Sequence, residues 1–86
     1  MKVFKCVAIS NNRNSFGLRG VVFVALDGEA WQVGVHDLDC PVVGRSYGVL
    51  ERQGNFAHGF SVLGWEIPRR LPKAPQTVVE VAFTEV

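Results

Sequence analysis

An Asp-Gly pair between two runs of strand-forming residues constrains this chain more than any other feature. The pair Asp27-Gly28 separates VVFVAL from EAWQVGV. Asp-Gly favours a two-residue hairpin turn because both turn positions adopt positive φ, and such a turn determines which residues lie opposite each other. We therefore predict a β-hairpin in which Val24 faces Trp31 and Val22 faces Val33. These side chains are expected to form the face directed at the core.

The opposite face of this hairpin is half apolar. In the predicted register it pairs Phe23 with Gln32 and Val21 with Gly34, and the glycine leaves a hollow beside the phenylalanine ring. Flat apolar faces seldom stay exposed on monomeric proteins. This face is therefore either covered by a second layer of the same chain or used as a contact surface.

Turn residues divide the rest of the chain into further short strands. Alternating and β-branched residues predict strands over 2–9, 46–51, 56–63 and 77–86. Residues 10–20 are rich in Asn and Gly and are predicted to form a loop. Three prolines in 68–75 exclude a helix or a central strand there.

This pattern predicts an all-β fold with little or no helix, in a single domain that spans 1–86 and includes the Pro-rich connection 68–75. Five or six short antiparallel strands at this chain length are typical of a small barrel or sandwich, of SH3-like or OB-like size. Pairing the first strand with the last would hide the edges of the sheet.

Composition excludes several classes of protein. Hydrophobic residues make up 48% of the 86 residues and charged residues 20%, which is typical of a globular chain. The formal net charge of +1 argues against a globally basic nucleic-acid binder. No apolar run approaches the roughly 20 residues of a membrane helix, and the N-terminus lacks the apolar stretch of a secretory signal.

The cysteines indicate the compartment. Cys6 and Cys40 belong to no Cys-x-x-Cys pair, and a secreted domain of this size would usually carry more bridges. We therefore predict two reduced thiols in a cytoplasmic protein. A single Cys6–Cys40 disulfide is the alternative.

One polar segment contains residue types that carry chemistry. The segment His36–Cys40 holds a histidine, two aspartates and a cysteine, which can bind metals or act as a general base. Adjacent residues of an extended chain point to alternate sides, however, and the spacing matches no metal-binding loop. A turn before Pro41 explains the segment better. We predict no metal, no cofactor and no enzymatic activity; a small enzyme that uses this segment is the third alternative.

A proline-rich motif lies near the C-terminal end. Residues 69–75 read RRLPKAP, a pattern that resembles the polyproline ligands of SH3 domains. Because the motif lies between two predicted strands of one domain, a rigid linker is the better interpretation.

Features suited to binding lie in the predicted 10–20 loop and on the second hairpin face. Amides, guanidinium groups and aromatic rings on a long loop suit recognition of another molecule. We predict a non-enzymatic module that binds a protein partner, by self-association or as an inhibitor or adaptor. The residues predicted to touch the partner are Arg13, Phe16, Arg19, Val21, Phe23 and Gln32.

The alternative function is a small β-barrel that binds single-stranded nucleic acid. Aromatic rings would stack on bases while arginines contact phosphates. The residues in this alternative are Arg13, Arg19, Arg45, Tyr47, Arg52 and Phe56, with Phe16, Phe60 and Trp65 as further rings. The balanced charge favours the protein partner, since phosphate contacts dominate nucleic-acid affinity.

Overall fold

The computed structural model describes residues 1–72, in which five antiparallel strands form one sheet. The strands are β1 (Lys2–Arg13), β2 (Arg19–Ala25), β3 (Ala30–Val35), β4 (Ser46–Val49) and β5 (Glu66–Leu71). A 3-10 turn spans Asp37–Asp39, and one helix, α1, spans Ala57–Val62. The order of strands across the sheet is β4-β1-β2-β3-β5. The strand predicted at 77–86 lies outside the described residues.

The sheet of residues 1–72 is open. The first strand, β1, pairs with β2 and β4, whereas β4 and β5 lie at the two edges. The all-β prediction is confirmed, but the described strands are not closed into a barrel. Pro68 lies in β5, at one edge of the described sheet. Proline has no N–H to donate, and an edge strand tolerates this because it hydrogen-bonds to a neighbouring strand on one side only. Part of the predicted connection 68–75 is therefore edge strand, and its last residues lie outside the described part.

The hairpin at Asp27-Gly28 is present, but its turn has a different type. Gly28 donates its N–H to the Ala25 carbonyl oxygen at 3.0 Å, and Ala25 donates its N–H to the Glu29 carbonyl oxygen at 2.9 Å. Gly28 has a φ of 92°. These features define a hairpin loop that is one residue longer than the predicted turn, in which a type I turn is followed by a glycine in the left-handed conformation. The predicted two-residue turn is therefore wrong.

The longer loop moves the register by one residue, so the two faces of β2 are exchanged and Val22 and Val24 leave the face on which they were predicted. Trp31 and Val33 of β3 stay on the core face, as predicted. Phe23 lies opposite Trp31 and Val21 opposite Val33, and Val21 and Phe23 belong to the buried core cluster with 0% exposure. The prediction that Val21 and Phe23 lie on an outward face is thus wrong. Gln32 lies on the other face and is buried too, with 4% exposure.

Strand β1 is longer than predicted. It continues to Arg13, so the first residues of the predicted 10–20 loop are strand, and only residues 14–18 connect β1 to β2. The buried Ser10 hydroxyl stabilises this extension: it accepts the Gly20 N–H at 2.8 Å and donates to the Asn12 carbonyl oxygen at 2.8 Å.

The strand predicted over 56–63 is wrong, because this segment forms α1. Phe56 and Phe60 are buried while His58 is exposed, a spacing of four residues that places both rings on one side of a helix. The Asn55 side-chain oxygen accepts the Ala57 N–H at 2.7 Å and so supports the first turn. None of the helical segments in residues 1–72 has the length and apolarity that crossing a bilayer demands.

The core lies between one face of the sheet and the segment that contains α1 and Trp65. The sheet contributes aromatic and β-branched side chains from all its central strands. Phe56, Phe60 and Trp65 form the covering layer, with 4%, 0% and 5% exposure respectively. A sheet face covered by a short helical segment buries enough apolar surface for a small domain.

Candidate interaction site

The 14–18 loop holds an aromatic ring out in solvent. The Asn14 side-chain oxygen accepts the N–H groups of Phe16 and Leu18, both at 2.9 Å. The Asn14 backbone also pairs with Leu18 and Gly17. Phe16 is 74% exposed whereas Leu18 is 2% exposed. Hydrogen bonds within the loop therefore fix its conformation, and in this conformation the Phe16 side chain points into solvent.

Two arginines meet one carboxylate beside this loop. Asp37 accepts hydrogen bonds from Arg13 and, at 2.9 Å, from Nε of Arg19. Arg19 also donates to the Ser10 and Asn11 carbonyl oxygens, at 3.2 and 3.0 Å. We call Arg13, Arg19 and Asp37 the arginine cluster. It ties the 3-10 turn to the β1–β2 hairpin.

The charges of the arginine cluster do not cancel. The hydrogen bonds from Arg13 and then Arg19 hold the pKa of Asp37 below its usual value, so this carboxylate stays ionised at neutral pH. Two guanidinium groups then share a single negative charge, and the cluster retains one formal positive charge. Arg13 remains about half exposed and can contact another molecule.

A shallow pocket of about 240 Å³ opens next to Phe16. We call it the Phe16 pocket; it is lined by Phe16, Leu18, His36, Glu66 and Ile67. His36 Nε2 and Glu66 Oε2 lie 2.9 Å apart on its wall, and both side chains are about half exposed. The pocket thus combines an apolar interior with a polar pair at its margin, as binding pockets do.

Ile67 has a backbone conformation that costs free energy. Its φ is 53°, which is unfavourable for a β-branched residue, and the residue before a proline normally favours negative φ as well. The pairing of β3 with β5 is irregular between Gln32 and Gly34, the positions that face this part of β5. Strained residues of this kind are concentrated at binding and catalytic sites. The strained residue thus lies both at the irregularity of the β3–β5 pairing and on the wall of the Phe16 pocket.

Replacing Ile67 with asparagine should leave the free energy of unfolding unchanged or raise it slightly, because asparagine tolerates positive φ better than isoleucine does. Gln53 has the same φ of 53°, in a turn where Arg52 and Asn55 exchange backbone hydrogen bonds at 2.8 and 3.0 Å. Gln53→Asn is expected to raise the free energy of unfolding by about 0.5–1 kcal/mol in urea titrations. A loss above about 1 kcal/mol in Ile67→Asn would show that the isoleucine side chain serves the fold instead.

The structure separates the other predicted partner-binding residues from this site. Arg13 and Arg19 meet at Asp37, and Phe16 lies in the loop that connects their two strands. Val21 and Phe23 are buried in the core, and Gln32 is buried on the opposite face of the sheet. These last three residues offer no exposed surface to a partner.

The rings of the nucleic-acid alternative are mostly core residues. Phe56, Phe60 and Trp65 are buried. Tyr47 packs edge-on against Phe23 and Trp65, with ring centroids 5.9 and 5.3 Å apart, and its hydroxyl accepts the Val42 N–H at 3.0 Å. Rings held in this way cannot stack on bases without opening the core.

The arginines of that alternative lie apart along the chain. Arg45 precedes β4, where its carbonyl oxygen accepts the Cys6 N–H at 2.9 Å. Arg52 lies in the turn that it closes with Asn55. Both are exposed, whereas Arg13 and Arg19 meet at Asp37.

The segment His36–Cys40 is a structural turn. Asp37 serves the arginine cluster, and the carbonyl oxygen of Asp39 accepts the indole N–H of Trp65 at 3.1 Å. No group of three or more potential ligands is arranged to hold a metal ion within residues 1–72. The turn therefore links the arginine cluster to the aromatic core.

Both cysteines are free thiols in the structure. Cys6 lies in β1 with its side chain in the core, and this burial raises the pKa of its thiol to about 11. Burial also raises the pKa of Cys40. Because the thiolate is the reactive form, both thiols are poor nucleophiles at neutral pH.

Sequence reasoning missed the residues that complete the Phe16 pocket. The sequence indicates His36 only as a possible metal ligand or general base and Glu66 only as one of several carboxylates, and nothing in it points to Ile67 as a site residue. Glu66 and Ile67 reach the pocket because β5 pairs with β3, with Gly34 opposite Glu66. No local signal predicts that pairing, and the proline after Ile67 predicts a negative φ at Ile67, whereas the observed φ is positive.

No protein-family model, no curated protein and no solved structure matches this chain.

Proposed function

We propose that this chain is a non-enzymatic interaction module that binds a protein partner through the Phe16 pocket and the arginine cluster. The observation that carries this proposal is the exposed ring of Phe16, which is 74% exposed on a pinned loop beside a pocket. An apolar ring held in water costs free energy that burial against a partner recovers.

The rigidity of the site supports binding. Asn14 fixes the loop and Asp37 fixes both arginines, so little conformational entropy is lost when a partner docks. Aromatic and arginine side chains are enriched at protein interfaces and dominate their affinity. The site presents both types next to each other.

A protein partner fits these observations better than a nucleic acid. The rings that could stack on bases are mainly in the core, and the chain as a whole has a formal charge of only +1. Strong phosphate binding needs several unpaired cations on one surface, whereas Arg13 and Arg19 already share Asp37.

Photo-crosslinking in the native cell tests this function. A benzoylphenylalanine introduced at position 16 should form discrete, nuclease-resistant protein adducts, because this ring is expected to lie in the interface. The matched control carries the same group at Leu26, which is fully exposed at the tip of the β2–β3 hairpin and outside the Phe16 pocket. The proposal fails if position 16 gives no protein adduct, or the same adducts as position 26.

A further inference from the structure

We propose that the partner of the Phe16 pocket is a second copy of this chain, joined by a two-fold interface. In it each Phe16 ring enters the pocket of the other copy. This inference rests on the proposed function, since it names the partner of that same site. It is carried by three features: a ring beside a pocket, the size of that pocket and the distribution of charge around it.

The ring and the pocket lie side by side on one surface. Phe16 projects from the 14–18 loop and also forms one wall of the pocket, and Leu18 and Ile67 supply apolar surface inside it. A two-fold axis places the same patch of both copies face to face. A patch that carries both a projection and an adjacent hollow is complementary to itself under that operation.

The size of the pocket fits a single side chain. Its volume of about 240 Å³ is below the range of about 300–1,000 Å³ that is usual for small-molecule sites. A single aromatic side chain fits a hollow of this volume. Ile67 is 46% exposed and offers the apolar surface on which the ring would rest.

The charges also match a second copy. The arginine cluster beside Phe16 keeps one positive charge, as described above, whereas Glu66 stands on the pocket side. When Phe16 of one copy enters the pocket of the other, the arginine cluster of each copy is expected to lie near Glu66 of its neighbour. Opposite charges facing each other select this arrangement over others.

The contact is expected to be weak. The patch is small, because its apolar side chains are those of Phe16, Leu18 and Ile67. Interfaces of less than about 1,200 Å² belong to the weak and transient class. We therefore expect a dimer with a dissociation constant in the micromolar range.

Sedimentation equilibrium of the purified chain, from low micromolar to near-millimolar concentration, tests the proposal. The expected result is a reversible monomer–dimer equilibrium. Phe16→Ala removes the ring and Ile67→Asn makes the pocket wall polar, and each should weaken dimerisation about tenfold or more. Gln53→Asn, which changes a residue of the same φ outside the pocket, should leave dimerisation unchanged.

A mixture of the two variants distinguishes a specific interface from non-specific association. Phe16→Ala loses the ring and with it one wall of its own pocket, but it keeps Leu18 and Ile67 there, whereas Ile67→Asn keeps the ring. Their mixture therefore restores one of the two contacts between a ring and Ile67. The mixture should therefore form a heterodimer more tightly than either variant forms a homodimer. Equal association in all three samples would overturn the proposed insertion of the ring.

The result also distinguishes this inference from the proposed function. A chain that stays monomeric at all concentrations, together with a crosslink from position 16 to a different protein, overturns the second copy but supports the interaction module. A monomeric chain without any specific protein crosslink from position 16 overturns both.

Discussion

Replacing Phe60 with alanine is expected to lower the free energy of unfolding by about 4 kcal/mol. Phe60 is 0% exposed, and its ring centroid lies 5.3 Å from those of Phe4 and Phe23, 5.7 Å from Trp31 and 6.2 Å from Trp65. Removing the Phe60 ring leaves a cavity between the sheet and the segment that contains α1 and Trp65. Domains of this size have about 5–15 kcal/mol of stability in all, so urea unfolding should show an early midpoint.

The matched control is the same substitution at Phe16, measured at low protein concentration. Phe16 is 74% exposed, and exposed substitutions usually change stability by less than about 0.5 kcal/mol. A small effect at Phe60, similar to that at Phe16, would contradict the packing of α1 against the sheet.

Replacing Gly59 with alanine is expected to lower the free energy of unfolding by about 3 kcal/mol. A Cβ at position 59 would overlap the carbonyl oxygen of Leu50 and lie 2.8 Å from its backbone nitrogen and 2.7 Å from Cγ1 of Val49. Backbone atoms cannot move aside by changing a rotamer, so the helix would have to shift away from β4. Thermal or urea unfolding measures the loss.

A substitution in the same helix provides the control. His58 is exposed, so His58→Ala adds no contact with Leu50 and improves helix propensity by a few tenths of a kcal/mol. Gly59→Ala would gain about 1 kcal/mol from propensity alone. A stabilised Gly59→Ala variant would therefore show that α1 does not approach Leu50 so closely.

The α1 segment shows how an incorrect period changes a structural prediction. Phe56, His58 and Phe60 fit a strand face, while Phe56 and Phe60 alone fit a helix face. The exposed His58 and the close approach of Gly59 to Leu50 show that the helical alternative is adopted. That choice depends on contacts with β4, which local sequence does not encode.

The Phe16 pocket shows the same limit at the level of the site. The sequence places Arg13, Phe16 and Arg19 in one short segment, although the two arginines lie at the ends of β1 and β2 and only Phe16 lies in the loop. Glu66 and Ile67 reach the pocket only because β5 pairs with β3, and these residues are far from Phe16 in sequence. Pairing between distant segments depends on the whole packed core and leaves no local signal.

The sequence by itself determined the β class, the hairpin at Asp27-Gly28 and the exclusion of the proline-containing segment from a helix or a central strand. These follow from backbone preferences that act within a few residues. Only the tertiary structure decided the hairpin register, the helix over Phe60 and the residues that complete the Phe16 pocket. Asp-Gly suits two loop lengths that differ by one residue, and that one residue sends Val21 and Phe23 into the core.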